Sequence, residues 1–232
     1  MTVGIFKVGA VPAVFLAAAT LVQAHGDVTP QAVDTTGLPE NGTEWLIENP
    51  YRAETAGEEV WRKAIDIGAS GYNQNCARCH GLQVVSGGLA PDLRFLEAEE
   101  YGDEWYAERF RVGYTQNGTT KMPAFGELLG QDAAWAIRTY IETRPDTDGI
   151  QEVSDELKAM RDQMEGYAAG GEGADPEALK ARLIEIGEGI ETLSGAPVAD
   201  SIALRAAAQI DGTPASYKAA AETLTVGLSA AN

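Results

Sequence analysis

The pentapeptide Cys76-Ala77-Arg78-Cys79-His80 is the constraint around which this 232-residue chain has to fold. Cys-x-x-Cys-His is the attachment signature of a c-type haem. Two thiols one helical turn apart can add to the two vinyl groups of one porphyrin. The histidine that follows can bring an imidazole nitrogen to the iron, so one short turn anchors the cofactor and supplies its first axial ligand. A thioredoxin-like dithiol would need a βαβ setting that the pattern does not offer, and a structural zinc site would need four ligands from a chain with two Cys and two His. Both cysteines lie in the motif, so none is left for a disulfide, and stability has to come from core packing and the haem.

The N-terminus reads as an export signal. Lys7 precedes an apolar run of 15 residues, Val8 to Val22, and Val22-Gln23-Ala24 places small residues at the −3 and −1 positions of a signal-peptidase site. The run is shorter than the roughly 20 residues that span a bilayer, so the expectation is a signal peptide over 1–24, cleaved after Ala24, and a periplasmic protein with no stable membrane insertion; a retained N-terminal anchor is the alternative. Cleavage would leave His25 first, where a histidine can help bind copper, but no third ligand accompanies it. The full chain has a formal charge of −18, and losing Lys7 with residues 1–24 makes it −19. Such acidity disfavours nucleic acid and anionic membranes as partners and favours a basic docking surface.

The remaining 208 residues (232 less 24) divide by pattern. Residues 25–54, with Pro30, Pro39 and Pro50 among polar residues, show no sustained period and read as an N-terminal arm that wraps the domain. A haem domain is expected over 55–145. Thr55 and Glu58 form a capping box, after which Trp61, Ala64, Ile65, Gly68 and Tyr72 recur on one helical face. A second helix is expected from Asp103 as N-cap to Gly113, and a third from Gln131 to Arg144, where Ala133, Ala136, Ile137, Tyr140 and Ile141 form a stripe stopped by Pro145.

Gly68, Tyr72, the Cys76 to Gly81 motif, Ala90-Pro91-Asp92-Leu93-Arg94, Met122-Pro123 and a last helix carrying Tyr140 together resemble a single-haem class I cytochrome c. The resemblance implies an all-α fold in which the first and last helices cross at Gly68, with Tyr72 and Tyr140 packed there. It also implies that the Pro91 carbonyl faces the outer N–H of His80 and that Arg94 reaches a haem propionate. Four methionines compete for the sixth ligand position. Met1 leaves with the signal peptide, and Met160 and Met164 share a helical stripe with Val153 and Leu157 that reads as core. Met122 lies 42 residues after His80 in a polar segment where a core side chain is out of place. By elimination and by family likeness, His80 and Met122 are the expected axial ligands, with Cys76 and Cys79 holding the haem. A His/Met pair leaves no open coordination site, which suits electron transfer rather than oxygen or peroxide chemistry and argues against a haem enzyme or gas sensor.

The stretches His25 to Pro39, Glu48 to Arg52 and Tyr72 to Asn75 resemble, more narrowly, the periplasmic cytochromes c that accept electrons from quinoprotein (PQQ-dependent) alcohol dehydrogenases. The resemblance covers about residues 25–145. It implies a shuttle of single electrons from such a dehydrogenase toward a terminal oxidase or another cytochrome, with a lanthanide-type methanol dehydrogenase or another respiratory chain as alternative. Residues 146–232 go beyond that pattern as an amphipathic helical extension of three or four helices. One carries Val153 to Met164. A second carries Leu179, Leu183, Ile186, Ile190 and Leu193 behind Asp175-Pro176, and a last one carries Tyr217, Ala221, Leu224 and Leu228 behind Thr213-Pro214. Internal packing of these stripes is preferred over a docking role.

Overall fold

Residues 30–52 run without helix or strand over the helices that follow them, in a computed structural model that describes Met1 and residues 30–230. The expected signal peptide beyond Met1, and His25, lie outside the described residues. The arm is stitched down by side chains from distant helices. Asn75 Oδ1 accepts from Gln31 N at 2.7 Å, Asp132 Oδ1 accepts from Asn41 Nδ2 at 2.8 Å, and Leu46 N donates to Gln131 Oε1 at 3.2 Å. Gln131 Nε2 in turn reaches the carbonyls of Gly42 and Glu44 at 2.6 and 2.9 Å. A loop laid over a protein must find partners for its backbone polar groups, and these long-range bonds supply them.

The domain expected over 55–145 is built on helices α1 (Ala53–Ala56), α2 (Glu58–Asn75), α3 (Ala77–His80), α4 (Glu100–Val112) and α5 (Gly126–Glu142). The expected capping box is not formed. Thr55 sits inside the single turn of α1, and Gly57 at φ 81° breaks the chain before α2 starts at Glu58. The apolar stripe of α2 is buried as expected, with Trp61, Ala64, Ile65, Gly68 and Tyr72 all inward. Helix α5 crosses it at Gly68, where a methyl group would lie 2.0 Å from the Ala136 carbonyl oxygen, so only glycine permits this approach. Tyr72 and Tyr140 meet there with ring centroids 5.5 Å apart.

Asp103 is not the N-cap of α4, which begins three residues earlier with Glu99 in that place. It is fully buried and accepts from Arg138 Nε at 2.8 Å, Arg52 Nη2 at 2.9 Å and Asn49 N at 2.8 Å. Glu142, also buried, takes Arg52 Nη2 at 2.7 Å and Asn49 Nδ2 at 3.1 Å. Arm, α4 and α5 thus share one ionic network. Burial raises the Glu142 pKa despite the attraction of Arg138 and Arg52. The all-α expectation holds apart from one hairpin, β1 (Tyr114–Gln116) and β2 (Thr119–Met122), joined by Asn117 at φ 51° and Gly118 at φ 74°. Two successive positive φ values are what an Asn-Gly hairpin turn requires.

The extension folds as α6 (Thr147–Glu152), α7 (Ser154–Ala168), α8 (Pro176–Gly189), α9 (Ile202–Gln209) and α10 (Pro214–Ala230). Asp175 caps α8 with Pro176 in its first turn, as the sequence predicts. Helix α9, not foreseen, is capped by Ser201, whose side chain accepts from Leu204 N. Helix α10 packs on α7 and α9, and α8 on α9. Leu157, Met164, Leu183, Ala203, Ala206 and Leu224 are among the fully buried residues of this second core, so the stripes find one another. Met160 and Met164 belong to it. Leu193 falls beyond the end of α8 and is only half-buried.

Candidate haem site

Helix α2 delivers the motif. Cys76 N still donates to Tyr72 O at 2.8 Å, after which Cys79 N and His80 N both turn back to Cys76 O, closing α3. Gly81, at φ 85°, ends the turn, and the Tyr72 hydroxyl donates to its carbonyl at 2.8 Å, tying the motif to the α2–α5 crossing. Cys76 is half-buried and Cys79 exposed, and neither is in a disulfide.

His80 lies at the edge of the core, its Nδ1 at 2.8 Å from the Pro91 carbonyl oxygen. Burial pushes its pKa below the usual histidine range, against the opposing pulls of that carbonyl and Asp92. The ring is therefore neutral near pH 7. A carbonyl can only accept, so the bond assigns the proton to Nδ1 and leaves the Nε2 lone pair for a metal. Such a second partner fixes the ring orientation and raises ligand basicity.

The loop 81–95 that carries Pro91 is held from both sides. Asp92 accepts from Arg94 N, Nε and Nη2 at 3.0, 3.0 and 2.8 Å, and these bonds hold its carboxyl below the usual range although burial opposes them. Arg94 is buried, and its Nη1 donates to Thr147 Oγ1 at 2.7 Å and to Pro145 O at 3.5 Å. The structure thus places the Arg94 donors on protein acceptors. At the other end Gln83 and Val84 have φ of 59° and 67°, a conformation strained for non-glycine residues and most of all for a β-branched one. Gln83 Oε1 accepts from Arg144 Nη2 and, at 3.2 Å, from Arg205 Nη2, while both arginines pair with Asp200. Sequence reasoning missed Gln83, Arg144, Asp200 and Arg205, because no local pattern signals contacts between residues as much as 122 positions apart.

Met122 ends β2 opposite Tyr114, half-buried against the first core. Gly113 lies against its backbone, where a Cβ would come within 2.4 Å of the Met122 carbonyl oxygen. Around the motif loop, Leu82, Val85, Leu89 and Phe95 expose apolar side chains that suit contact with a planar apolar macrocycle. Two cysteine sulfurs one turn apart, an imidazole held at Nδ1 by the Pro91 carbonyl with its Nε2 unengaged, and this apolar rim fit a covalently attached haem. Among the described residues no group of three or more His, Cys, Asp or Glu could hold a separate metal ion, and no helix is long and apolar enough to cross a membrane.

Comparisons with known proteins bear on the same segment. The family described as cytochrome c oxidase, cbb3-type, subunit III matches residues 63–141. The chain is 52% identical over 128 residues to cytochrome c550 of Pseudomonas aeruginosa, covering 55% of this chain and 86% of that one, and 33% identical over 79 residues to cytochrome c6 of Euglena gracilis, covering 33% and 88%. It is also 32% identical over 81 residues to the quinohemoprotein alcohol dehydrogenase ADH-IIG of Pseudomonas putida, covering 35% of this chain but only 11% of that enzyme. No solved structure matches significantly. The two short relatives are matched over most of their length, and on that ground the chain belongs to the class I c-type cytochromes: it carries a covalently bound haem and is an electron carrier rather than an enzyme.

Proposed function

We propose that this is a periplasmic single-haem shuttle that takes electrons one at a time from a quinoprotein (PQQ) alcohol dehydrogenase and passes them toward a terminal oxidase. The observation that carries the reading is the motif histidine, its Nδ1 held by the Pro91 carbonyl, in a domain over 55–145 whose one methionine is Met122. Cys76 and Cys79 would hold the haem through thioethers, and His80 Nε2 and Met122 Sδ would be its axial ligands. When bound, the haem supplies a one-electron ferric/ferrous couple.

The protein's part is to keep that couple closed to other chemistry. His80 and Met122 would fill both axial positions, leaving none for oxygen or peroxide. The Pro91 carbonyl holds the His80 proton on Nδ1 and gives the ring more donor strength toward iron. The donor assignment is supported by likeness to a segment of the quinohemoprotein alcohol dehydrogenase ADH-IIG of Pseudomonas putida and of the dehydrogenase subunit of alcohol dehydrogenase (quinone) of Acetobacter aceti. Oxidation of one alcohol to the aldehyde releases two electrons and two protons, so two molecules of this protein would be reduced per turnover. The net charge of −18 favours a basic docking face on the partner.

The test is to mix the oxidised holoprotein with its host's quinoprotein dehydrogenases, supplied in turn with ethanol and methanol, and to follow haem absorbance. Fast reduction by an ethanol-type enzyme is expected. Fast reduction by a lanthanide-dependent methanol dehydrogenase alone would move the protein to that pathway, and no reduction by any of them would overturn the donor assignment. Met122→Ala should remove the six-coordinate low-spin spectrum; an unchanged spectrum would exclude Met122 as ligand.

A further inference from the structure

The helical extension carries no motif of its own, and its apolar stripes are closed against one another in the second core. Its bonds to the rest of the molecule reach the backbone of Ala98, Glu142 and Thr143 and, at two further places, the beginning and the end of the 81–95 loop. We propose that the extension is a clasp that tunes the haem: by gripping this loop at Gln83 and Arg94 it holds the Pro91 carbonyl on His80 and so keeps the reduction potential low. Gln83 and Thr147 act as positioning residues. The inference rests on His80 being the haem ligand.

At the first grip, Arg205 of α9 reaches Gln83 Oε1, and Asp200 aligns Arg205 with Arg144 at the end of α5. Asp200 is held ionised: burial opposes this, but the two guanidinium groups outweigh it and keep its carboxyl below the usual range. At the second grip, Thr147, the first residue of α6, accepts from Arg94, which is locked to Asp92 beside Pro91. The segment between α8 and α9 is fastened by backbone bonds as well. Ala98 N donates to Ser194 O at 2.9 Å, Pro145 bridges to Thr192, and Ala199 N donates to Thr143 O at 3.3 Å. The left-handed pair Gln83-Val84 is the strained point of the loop, and it sits where the Arg144 and Arg205 bonds converge. A strained backbone persists where its surroundings over-determine it. Releasing the grips lets the loop relax, lengthens the bond from His80 Nδ1 to Pro91 O, weakens the ring as a donor and favours ferrous iron.

The test uses the full-length holoprotein with charge-conserving variants, Thr147→Val, Gln83→Leu and the double substitution. The ferrous-to-ferric ratio at fixed ambient potential should rise about threefold in the double variant, or about 28 mV upward at 59 mV per decade for one electron. Amide exchange over residues 81–95 should quicken, while Thr147→Ser, which keeps the hydroxyl, stays at the parent potential. An unchanged or lowered potential with unchanged loop exchange would overturn the proposal. A wrong ligand assignment shows in the parent spectrum before any variant is made. Failure of the clasp shows instead as an unmoved potential in a protein whose spectrum is intact.

Discussion

The two halves of the molecule are built on different interior chemistry. Between the arm and α5 the buried set includes Asn49, Arg94, Asp103, Arg138, Glu142 and Arg144 beside Trp135 and Tyr72; beyond Arg144 the only buried polar residues among those described are Ser194, Ser201 and Ser216. The ion pairs within α7 and α8, such as Arg182 with Glu156 and Glu185, lie on the surface. A buried ionic network is weak as a source of stability, because desolvation offsets attraction, but it is strict about geometry. An aliphatic core tolerates some repacking and supplies stability without that strictness. Strict placement thus goes with the half that has to hold a redox centre, and tolerant packing with the half that braces it.

Substitutions can break this contrast. The largest effect is expected for Asp103→Asn, which removes one of the two buried carboxylates shared by Arg138 and Arg52 and leaves both guanidinium groups on Glu142 alone, at a cost of about 3–5 kcal/mol, seen as a lower urea midpoint. Leu183→Ala, a fully buried position in the other core, should cost about 2–5 kcal/mol by the same measurement but leave the haem spectrum of the folded protein unchanged. A spectral change there would mean the halves are not distinct in kind. Ser201→Ala removes the cap of α9 and should cost about 1 kcal/mol. Arg182→Ala should leave the midpoint unchanged, since its partners are exposed.

Acid sharpens the comparison through two carboxyl groups whose pKa values are shifted in opposite directions. Asp200 has a depressed pKa, so its contribution is fully present above the usual 3.8 and is lost as pH falls through its lower folded value. Loop exchange should therefore rise at the acid end, and Asp200→Asn should flatten that limb. Glu142 has a raised pKa, so the folded state holds its proton more readily and its ionisation costs stability as pH climbs from the usual 4.5 through the folded value. A Glu142→Gln variant that keeps the wild-type slope in that window would refute this assignment.

Much of the fold is legible in the sequence, and the losses have physical causes. The stripes of α2, α5, α7, α8 and α10 read correctly because each buries one face, and periodicity reports burial. Asp103 reads as a cap because aspartate is favoured there; its real partners, Arg52 and Arg138, are 51 and 35 residues away and leave no local trace. The β1–β2 hairpin is exposed along nearly its whole length and has no buried face to imprint a period, although its Asn117-Gly118 turn is a readable signal. Among the candidate site residues, the Pro91 carbonyl does face His80, whereas Arg94 turns toward Asp92 and Thr147, a residue of the extension with no counterpart in the resemblance that suggested its role.

The hairpin also makes Met122 a matter of counting. Side chains alternate sides along a regular strand, but here the register slips between Thr115 and Tyr114, where one step on β1 is matched by two on β2 and Lys121 is the extra residue. In a ladder without that slip Lys121 would pair with Tyr114, and Met122 would turn to the opposite side. One unpaired residue in an exposed hairpin therefore decides whether a sulfur or an ammonium is presented beside Tyr114, and a shift of one step in the ladder would change the chemistry of the site without altering any residue in it.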